Sequence, residues 1–113
     1  MQRTAEAFDC RAELELRRLM RPTINDPAMA GLVRDVAREV IGEQNIVELR
    51  TMGGEDFAEI LALVPGCYFF VGSRNEAKGL VHPHHSPHFD IDEDALPIGA
   101  RLLAGVAHHF LDS

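Results

Sequence analysis

Four of the chain's six histidines, His82, His84, His85 and His88, fall within the ten residues Val81–Asp90. Imidazole is the commonest metal ligand and titrates nearest neutral pH, so this density points to metal or acid–base chemistry. Pro83 and Pro87 bar a regular helix and bias His82 and Ser86, which precede them, toward extended backbone. The stretch predicts a stiff loop that presents imidazoles. Adjacent histidines interrupted by prolines rarely converge on one ion, and catalytic zinc takes about three protein ligands plus water. The four alone therefore predict weak, adventitious binding. Ser86 has histidines nearby but nothing that places an oxyanion hole. Glu55 and Asp56 could serve as acid–base carboxylates, but residues opening a helix more simply pack and cap it. His108 and His109 sit near the negative end of the last predicted helix, where imidazoles suit the dipole.

Composition narrows the class. At 113 residues the chain is one domain at most. Apolar content of 46% and charged content of 26% are usual for a globular protein. A net charge of −7 without a basic stripe argues against nucleic acid, whose phosphates need clustered Lys and Arg. No apolar run reaches the length of a membrane span, and the N-terminus lacks a signal-peptide hydrophobic region. Cys10 and Cys67 lie outside any CxxC spacing and read as two buried thiols in a reducing compartment. The expected setting is cytoplasmic. Lys78 is the one lysine among eleven Lys and Arg residues.

The elements that must hold the loop can be read in order. Gln2–Phe8 is weakly amphipathic and resembles the last turns of a helix. Ala12–Arg18 alternates, with Ala12, Leu14 and Leu16 on one face and Glu13, Glu15 and Arg17 on the other, which predicts a half-buried strand. Asn25-Asp26-Pro27 predicts a helix start, with a capping side chain followed by proline in the first turn. Met29, Leu32, Val33, Val36, Ala37 and Val40 then form an apolar stripe, and Gly42 predicts a left-handed cap. Ile46–Leu49 reads as a short extended segment. Gly53-Gly54 permits backbone conformations other residues avoid and close approach of another group. Phe57, Ile60, Leu61 and Val64 predict a helix that Pro65-Gly66 stops. Cys67–Val71, apolar on both faces, predicts a strand in the middle of a covered sheet. Met52, Phe57 and Phe69 read as core. Asp92-Glu93-Asp94 opens the last helix, with Leu102, Leu103, Val106 and Phe110 as its buried stripe. A central strand needs a strand on each side, and Ala12–Arg18, with its wet face, belongs to a different sheet.

Four segments in register carry a resemblance: Met52–Ala58, Val64–Gly72, His85–Asp90 and Ala95–Ala100. Their order and intervals resemble the C-terminal part of the amidohydrolase branch of the aminoacylase/carboxypeptidase G metallopeptidase family. That branch holds hippurate hydrolases, indoleacetyl-amino-acid hydrolases and N-acyl-diaminopimelate deacetylases. Ala12–Arg18 and Pro22–Pro27 resemble the end of the family's lid domain and the return into its catalytic domain. The resemblance implies an incomplete α/β fold. Residues 1–24 would end an α+β lid that often makes the dimer, and residues 25–113 would form the C-terminal portion of the catalytic domain. It implies hydrolysis of N-acyl amino acids by a site with two divalent metals, zinc or manganese, that activate water and polarise the carbonyl. His85, two residues before Pro87, stands at the family's last metal ligand. Gly53, Gly54 and Glu55 would line the substrate cleft. The family's other ligands and its general-base glutamate precede the lid, and no residues here correspond to them. The resemblance therefore implies a segment inactive alone and a weak metal binder by itself. Three forms fit: a truncated gene or remnant, one subunit of a split enzyme completed by a protein partner, or a small homodimerising or interaction module.

Overall fold

The computed structural model describes residues 2–17 and 19–112. Among the described residues there are four helices: α1 (Gln2–Glu6), α2 (Pro27–Ile41), α3 (Phe57–Leu61) and α4 (Ala95–Asp112). A single 3-10 turn, Glu43–Asn45, follows α2.

α2 begins where the sequence places it. The Asp26 carboxylate accepts from the amides of Ala28 and Met29, both at 3.0 Å, and Pro27 occupies the first turn, where its missing N–H costs nothing. The helix ends at Gly42, whose N–H donates to the Arg38 carbonyl. Gly42 has φ 82° and ψ 149°, so the positive φ is as expected but the conformation is not the left-handed helical one. α4 carries Pro97 in its first turn, where it is tolerated.

The core lies where these two helices cross. Val36, Ala37 and Leu102 are buried, with Val40, Ile41, Ile46, Phe69, Val71, Ile98 and Val106 packed around them. The expected stripe of α2 is therefore the one that packs. That of α4 is only partly so: Leu102 and Val106 face α2, whereas Leu103 and Phe110 are more than half exposed. Leu96, Leu103 and Phe110 recur at seven-residue intervals, so α4 has a second apolar stripe turned outward.

Neither predicted strand forms a ladder. Among the described residues the one β-bridge joins Asn75 to Leu80. In the predicted strand Ala12–Arg18, Arg18 lies outside the described residues. The remainder keeps the alternation of an extended chain: Arg11 pairs with Glu13 at 3.0 Å and Arg17 with Glu15 at 2.7 Å, while Leu14 and Leu16 stay exposed on the other face. Cys67–Val71 likewise has no strand beside it, although its side chains alternate between two layers. Phe69 and Val71 pack on the α2–α4 core. Tyr68 meets Phe57 at 5.6 Å and Phe70 at 5.2 Å on the opposite side. The apolar pattern thus sets which way side chains point, but pairing needs a second backbone that the described residues do not supply.

One side chain stands in for that backbone. The Asn25 amide donates to the Tyr68 carbonyl and accepts from the Tyr68 N–H, both at 2.8 Å, and the Asp26 N–H donates to the Gly66 carbonyl at 2.9 Å. Asn25→Ala removes both side-chain bonds and is expected to cost about 2 kcal/mol, at roughly 1 kcal/mol each. Urea unfolding followed by circular dichroism measures this loss, and an unchanged midpoint would contradict the bracing role.

The shape is open. The radius of gyration is 19.9 Å, against about 13 Å for a compact chain of this length. Accessible surface is 9715 Å², against about 6,200 Å² for a folded monomer of 12.5 kDa. Much of the excess is apolar: Leu16, Leu19, Leu63 and Leu111 are each over 80% exposed. Met52 is fully exposed rather than core, while Phe57 and Phe69 are partly buried. Of the two thiols expected to be buried, Cys10 is exposed and Cys67 half-buried, and burial raises the pKa of Cys67. Among the described residues no helix is long and apolar enough to cross a membrane.

Candidate functional site

The histidine loop is built from two successive turns. The Ser86 N–H donates to the Pro83 carbonyl at 3.2 Å, and the Phe89 N–H donates to the Ser86 carbonyl at 3.1 Å. Pro87 sits second in the latter turn, where its fixed φ is pre-set. The Ser86 hydroxyl accepts from the His88 N–H at 3.1 Å, which gives this serine a structural task. His85 sits third in the first turn with φ 68°. Type II turns demand a positive φ at that position, which glycine usually supplies. An L-residue there pays roughly 1–2 kcal/mol in contact between Cβ and carbonyl.

The four imidazoles do not converge. His82 and His88 lie ring to ring at 5.4 Å, and His84 stands edge-on to Phe89 at 4.7 Å. His85 is exposed and takes part in neither pair. Among the described residues no group of three or more His, Cys, Asp or Glu side chains is placed to hold a metal ion. His85 has the donor atoms and exposure of one ligand, but the described residues do not make a full coordination set around it.

The Gly53–Glu55 turn leads into α3. Neither glycine needs a positive φ. Gly54 instead admits a close neighbour, since a Cβ there would stand 2.9 Å from the Met20 sulfur. Glu55 accepts from the Phe57 N–H at 3.2 Å, so it caps α3, while Asp56 makes no side-chain capping bond. Hydrogen bonding from the Tyr68 hydroxyl holds the Glu55 carboxyl below its ordinary pKa and raises that of Tyr68. Tyr68 and Asn25 thus belong to this neighbourhood, although their spacing from Glu55 carries no local signal. An apolar groove of about 260 Å³ runs between Arg21–Ile24 and α3, lined by Ala58, Leu61 and Ala62, and has no titratable wall except Arg21.

At the base of the histidine loop lies a cluster absent from the sequence reading. The Lys78 ammonium donates to Asp92 at 2.5 Å and to Asp94 at 2.8 Å, and the Asn75 amide donates to the other Asp92 oxygen at 2.5 Å. The Asp92 side chain is only 13% exposed. Hydrogen bonds from Lys78 and then Asn75 hold its carboxyl at about 2, and those to Asp92 and Asp94 raise Lys78 above its ordinary value. A carboxyl with a depressed folded pKa stabilises fully above its unfolded value, about 3.9, and loses that contribution as pH falls through about 2. An NMR pH titration should place the Asp92 carboxyl midpoint well below the ordinary aspartate value of about 3.9. A midpoint near 3.9 would mean the cluster does not form in solution.

Comparison with known proteins bears on the same segments. The profile described as Peptidase family M20/M25/M40 matches residues 8–109. An IAA-amino acid hydrolase ILR1-like 6 of Arabidopsis thaliana is 41% identical over 92 residues, which are 80% of this chain and 20% of the relative. Thermostable carboxypeptidase 2 of Saccharolobus solfataricus is 39% identical over 89 residues, 78% of this chain and 22% of the relative. An N-acetyl-L-cysteine deacetylase of Bacillus subtilis is 34% identical over 112 residues, 99% of this chain and 26% of the relative. The chain therefore spans about a fifth to a quarter of the length of these relatives. No solved structure matches it.

Proposed function

The chain belongs to Peptidase family M20/M25/M40, and on that premise we propose that it supplies one metal-ligating histidine and part of the substrate cleft of a metal-dependent amidohydrolase cleaving N-acyl amino acids. The observation that carries this reading is His85: an exposed imidazole held at φ 68°, in a turn where glycine would be the unstrained choice. Such strain persists where the surroundings over-determine a conformation, and functional sites are where it concentrates. The relatives' names, hydrolase of IAA–amino acid conjugates, carboxypeptidase and N-acetyl-L-cysteine deacetylase, support a small amide substrate.

In this reading residues 1–24 end a lid, and residues 25–113 form part of an α/β catalytic domain. Cys67–Val71 becomes a central strand once neighbours pair with its two edges. Two divalent ions, zinc or manganese, would supply an activated water and a polarised carbonyl when bound. His85 would contribute one ligand, with the others on a polypeptide outside these 113 residues. The Gly53–Glu55 turn would border the cleft, with Tyr68 fixing the Glu55 carboxylate.

The test is a graft. Residues 8–109 replace the corresponding segment of the Bacillus subtilis N-acetyl-L-cysteine deacetylase, which matches this chain over 112 residues, and the hybrid is assayed on N-acyl amino acids with and without chelator. Metal-dependent hydrolysis is the expected result, and a folded but inert hybrid would count against the reading.

A second reading rests on the Arg11–Arg17 segment, whose paired charges leave Leu14 and Leu16 bare along an unpaired edge. Such an edge can add a strand from a second copy or another protein. Leu16→Lys should then shift the sedimentation of the chain toward the monomer, and an unchanged profile would dismiss this reading.

A further inference from the structure

Among the described residues, hydrogen bonds tie the histidine loop down at its base. The hydrogen bonds of residues 82–90 stay within the loop or run to its immediate neighbour Ile91. The two chain ends that enter and leave it meet in the cluster around Asp92. On the entering side, Asn75 and Leu80 exchange backbone hydrogen bonds at 3.0 and 2.8 Å, and the Asn75 side chain accepts from the Lys78 N–H at 3.2 Å. On the leaving side, the Asp92 N–H donates to the Ser73 carbonyl at 2.9 Å, and the Asp92 carbonyl accepts from Ala95 N–H at the start of α4. Lys78 and Asn75 join the two sides through both oxygens of the Asp92 carboxylate.

We propose that Lys78, Asn75 and Asp92 form a clasp that positions His85, acting through the 83–86 turn. The proposal rests on the reading of His85 as a ligand only for its purpose; the clasp itself stands on the contacts above. The physical argument is one of charge. Asp90, Asp92, Glu93 and Asp94 lie within five residues, and Asp92 is the one whose side chain is largely buried. A carboxylate that has lost most of its water is stabilised by a partner, and the sole lysine of the chain reaches both it and Asp94. Without that ammonium the acidic neighbours repel one another. The base opens, and the nine-residue loop loses the closure that holds His85 in its strained turn. Lys78 is a positioning residue here, since its ammonium bonds Asp92 and Asp94 and acts on His85 only through the loop.

The experiment uses the full 113-residue chain, labelled with nitrogen-15. Solvent exchange of the Ser86 and Phe89 amides is measured by NMR in wild type, Lys78→Met and Lys78→Arg, with the Gly42 amide at the end of α2 as internal control. Lys78→Met should speed exchange at Ser86 and Phe89 about tenfold and leave Gly42 unchanged, and Lys78→Arg should restore most of the protection. Unchanged rates at Ser86 and Phe89, or a parallel rise at Gly42, would overturn the clasp. Should Lys78→Met fail to fold, Asp94→Asn decides, because its side chain is exposed and its loss weakens one arm only. It should raise the two loop rates by a few-fold, and no rise would overturn the proposal. The hybrid described above, taken with the exchange rates, separates the two ideas. If the hybrid is folded but inert while Lys78→Met still loosens the loop of the 113-residue chain, the ligand reading fails and the clasp survives. If Lys78→Met leaves the metal-dependent hydrolysis of the hybrid unchanged, the clasp does not position His85.

Discussion

Replacing His85 with glycine is expected to leave the fold as stable as before while removing the function proposed for it. The two effects separate because the backbone at this position already favours glycine. At φ 68° histidine carries roughly 1–2 kcal/mol of local strain. Glycine relieves that and gives back about 0.5–1 kcal/mol through its freer unfolded chain. The imidazole makes none of the ring contacts that join His82 to His88 and His84 to Phe89, so little packing is lost. His85→Ala keeps the strain, so it should be slightly less stable than the glycine variant. In the grafted enzyme both should cut turnover by more than the roughly 10–100-fold that follows loss of a residue merely supporting a ligand. The measurement is kcat/KM on an N-acyl amino acid beside a thermal melt. A glycine variant that keeps its activity would refute the role of His85. One that melts far earlier would show that the residue is there for stability.

The second large effect falls on the helix crossing. Gly105 of α4 lies against Val36 of α2, the most buried side chain, and a Cβ at Gly105 would sit 2.7 Å from a Val36 methyl. Glycine inside a helix costs about 1 kcal/mol relative to alanine, so a surface helix would gain from its replacement. Here the gain is overridden. Val36 is β-branched and confined to one rotamer in a helix, so it cannot swing aside, and overpacking a close-packed contact costs about 1–3 kcal/mol. Gly105→Ala should therefore be destabilising by about 1 kcal/mol. Gly105→Val, which brings two more methyl groups and no gain in propensity, should lose about 3 kcal/mol. Because only Val36, Ala37 and Leu102 form the buried centre of this crossing, the valine variant should lose the contact between α2 and α4. Pairing Gly105→Ala with Val36→Ala should recover about 1 kcal/mol relative to the sum of the single changes, which urea unfolding of all four proteins would measure. Strict additivity would mean that the two residues do not touch in solution.

The helix starts were legible because their signals are local. Asn25-Asp26-Pro27 places a cap and a proline where the free amides lie, and the carboxylate of Asp26 does bond to two of them. The stripe Met29–Val40 repeats at helical period, and its centre is the core. The stripe read on α4 was half right. That helix is apolar on two sides, and periodicity alone does not say which side meets α2. Glu55 illustrates the site. Its capping role follows from its place before α3, but its tie to Tyr68 links residues thirteen apart and has no local signature.

By itself, the sequence determined the family, the limits of α2, the start of α4 and a proline-braced loop of histidines, since each depends on residues within a few positions of one another or on motifs in register. The tertiary structure alone decided four things. Asn25 supplies the hydrogen bonds of a missing strand to Tyr68, Gly105 makes room for Val36, Lys78 closes the base of the histidine loop, and His85 takes a positive φ. The first three join residues 14 to 69 positions apart. A pattern of apolar and polar residues fixes which way side chains face, but not which distant backbone, methyl group or carboxylate will be there to meet them.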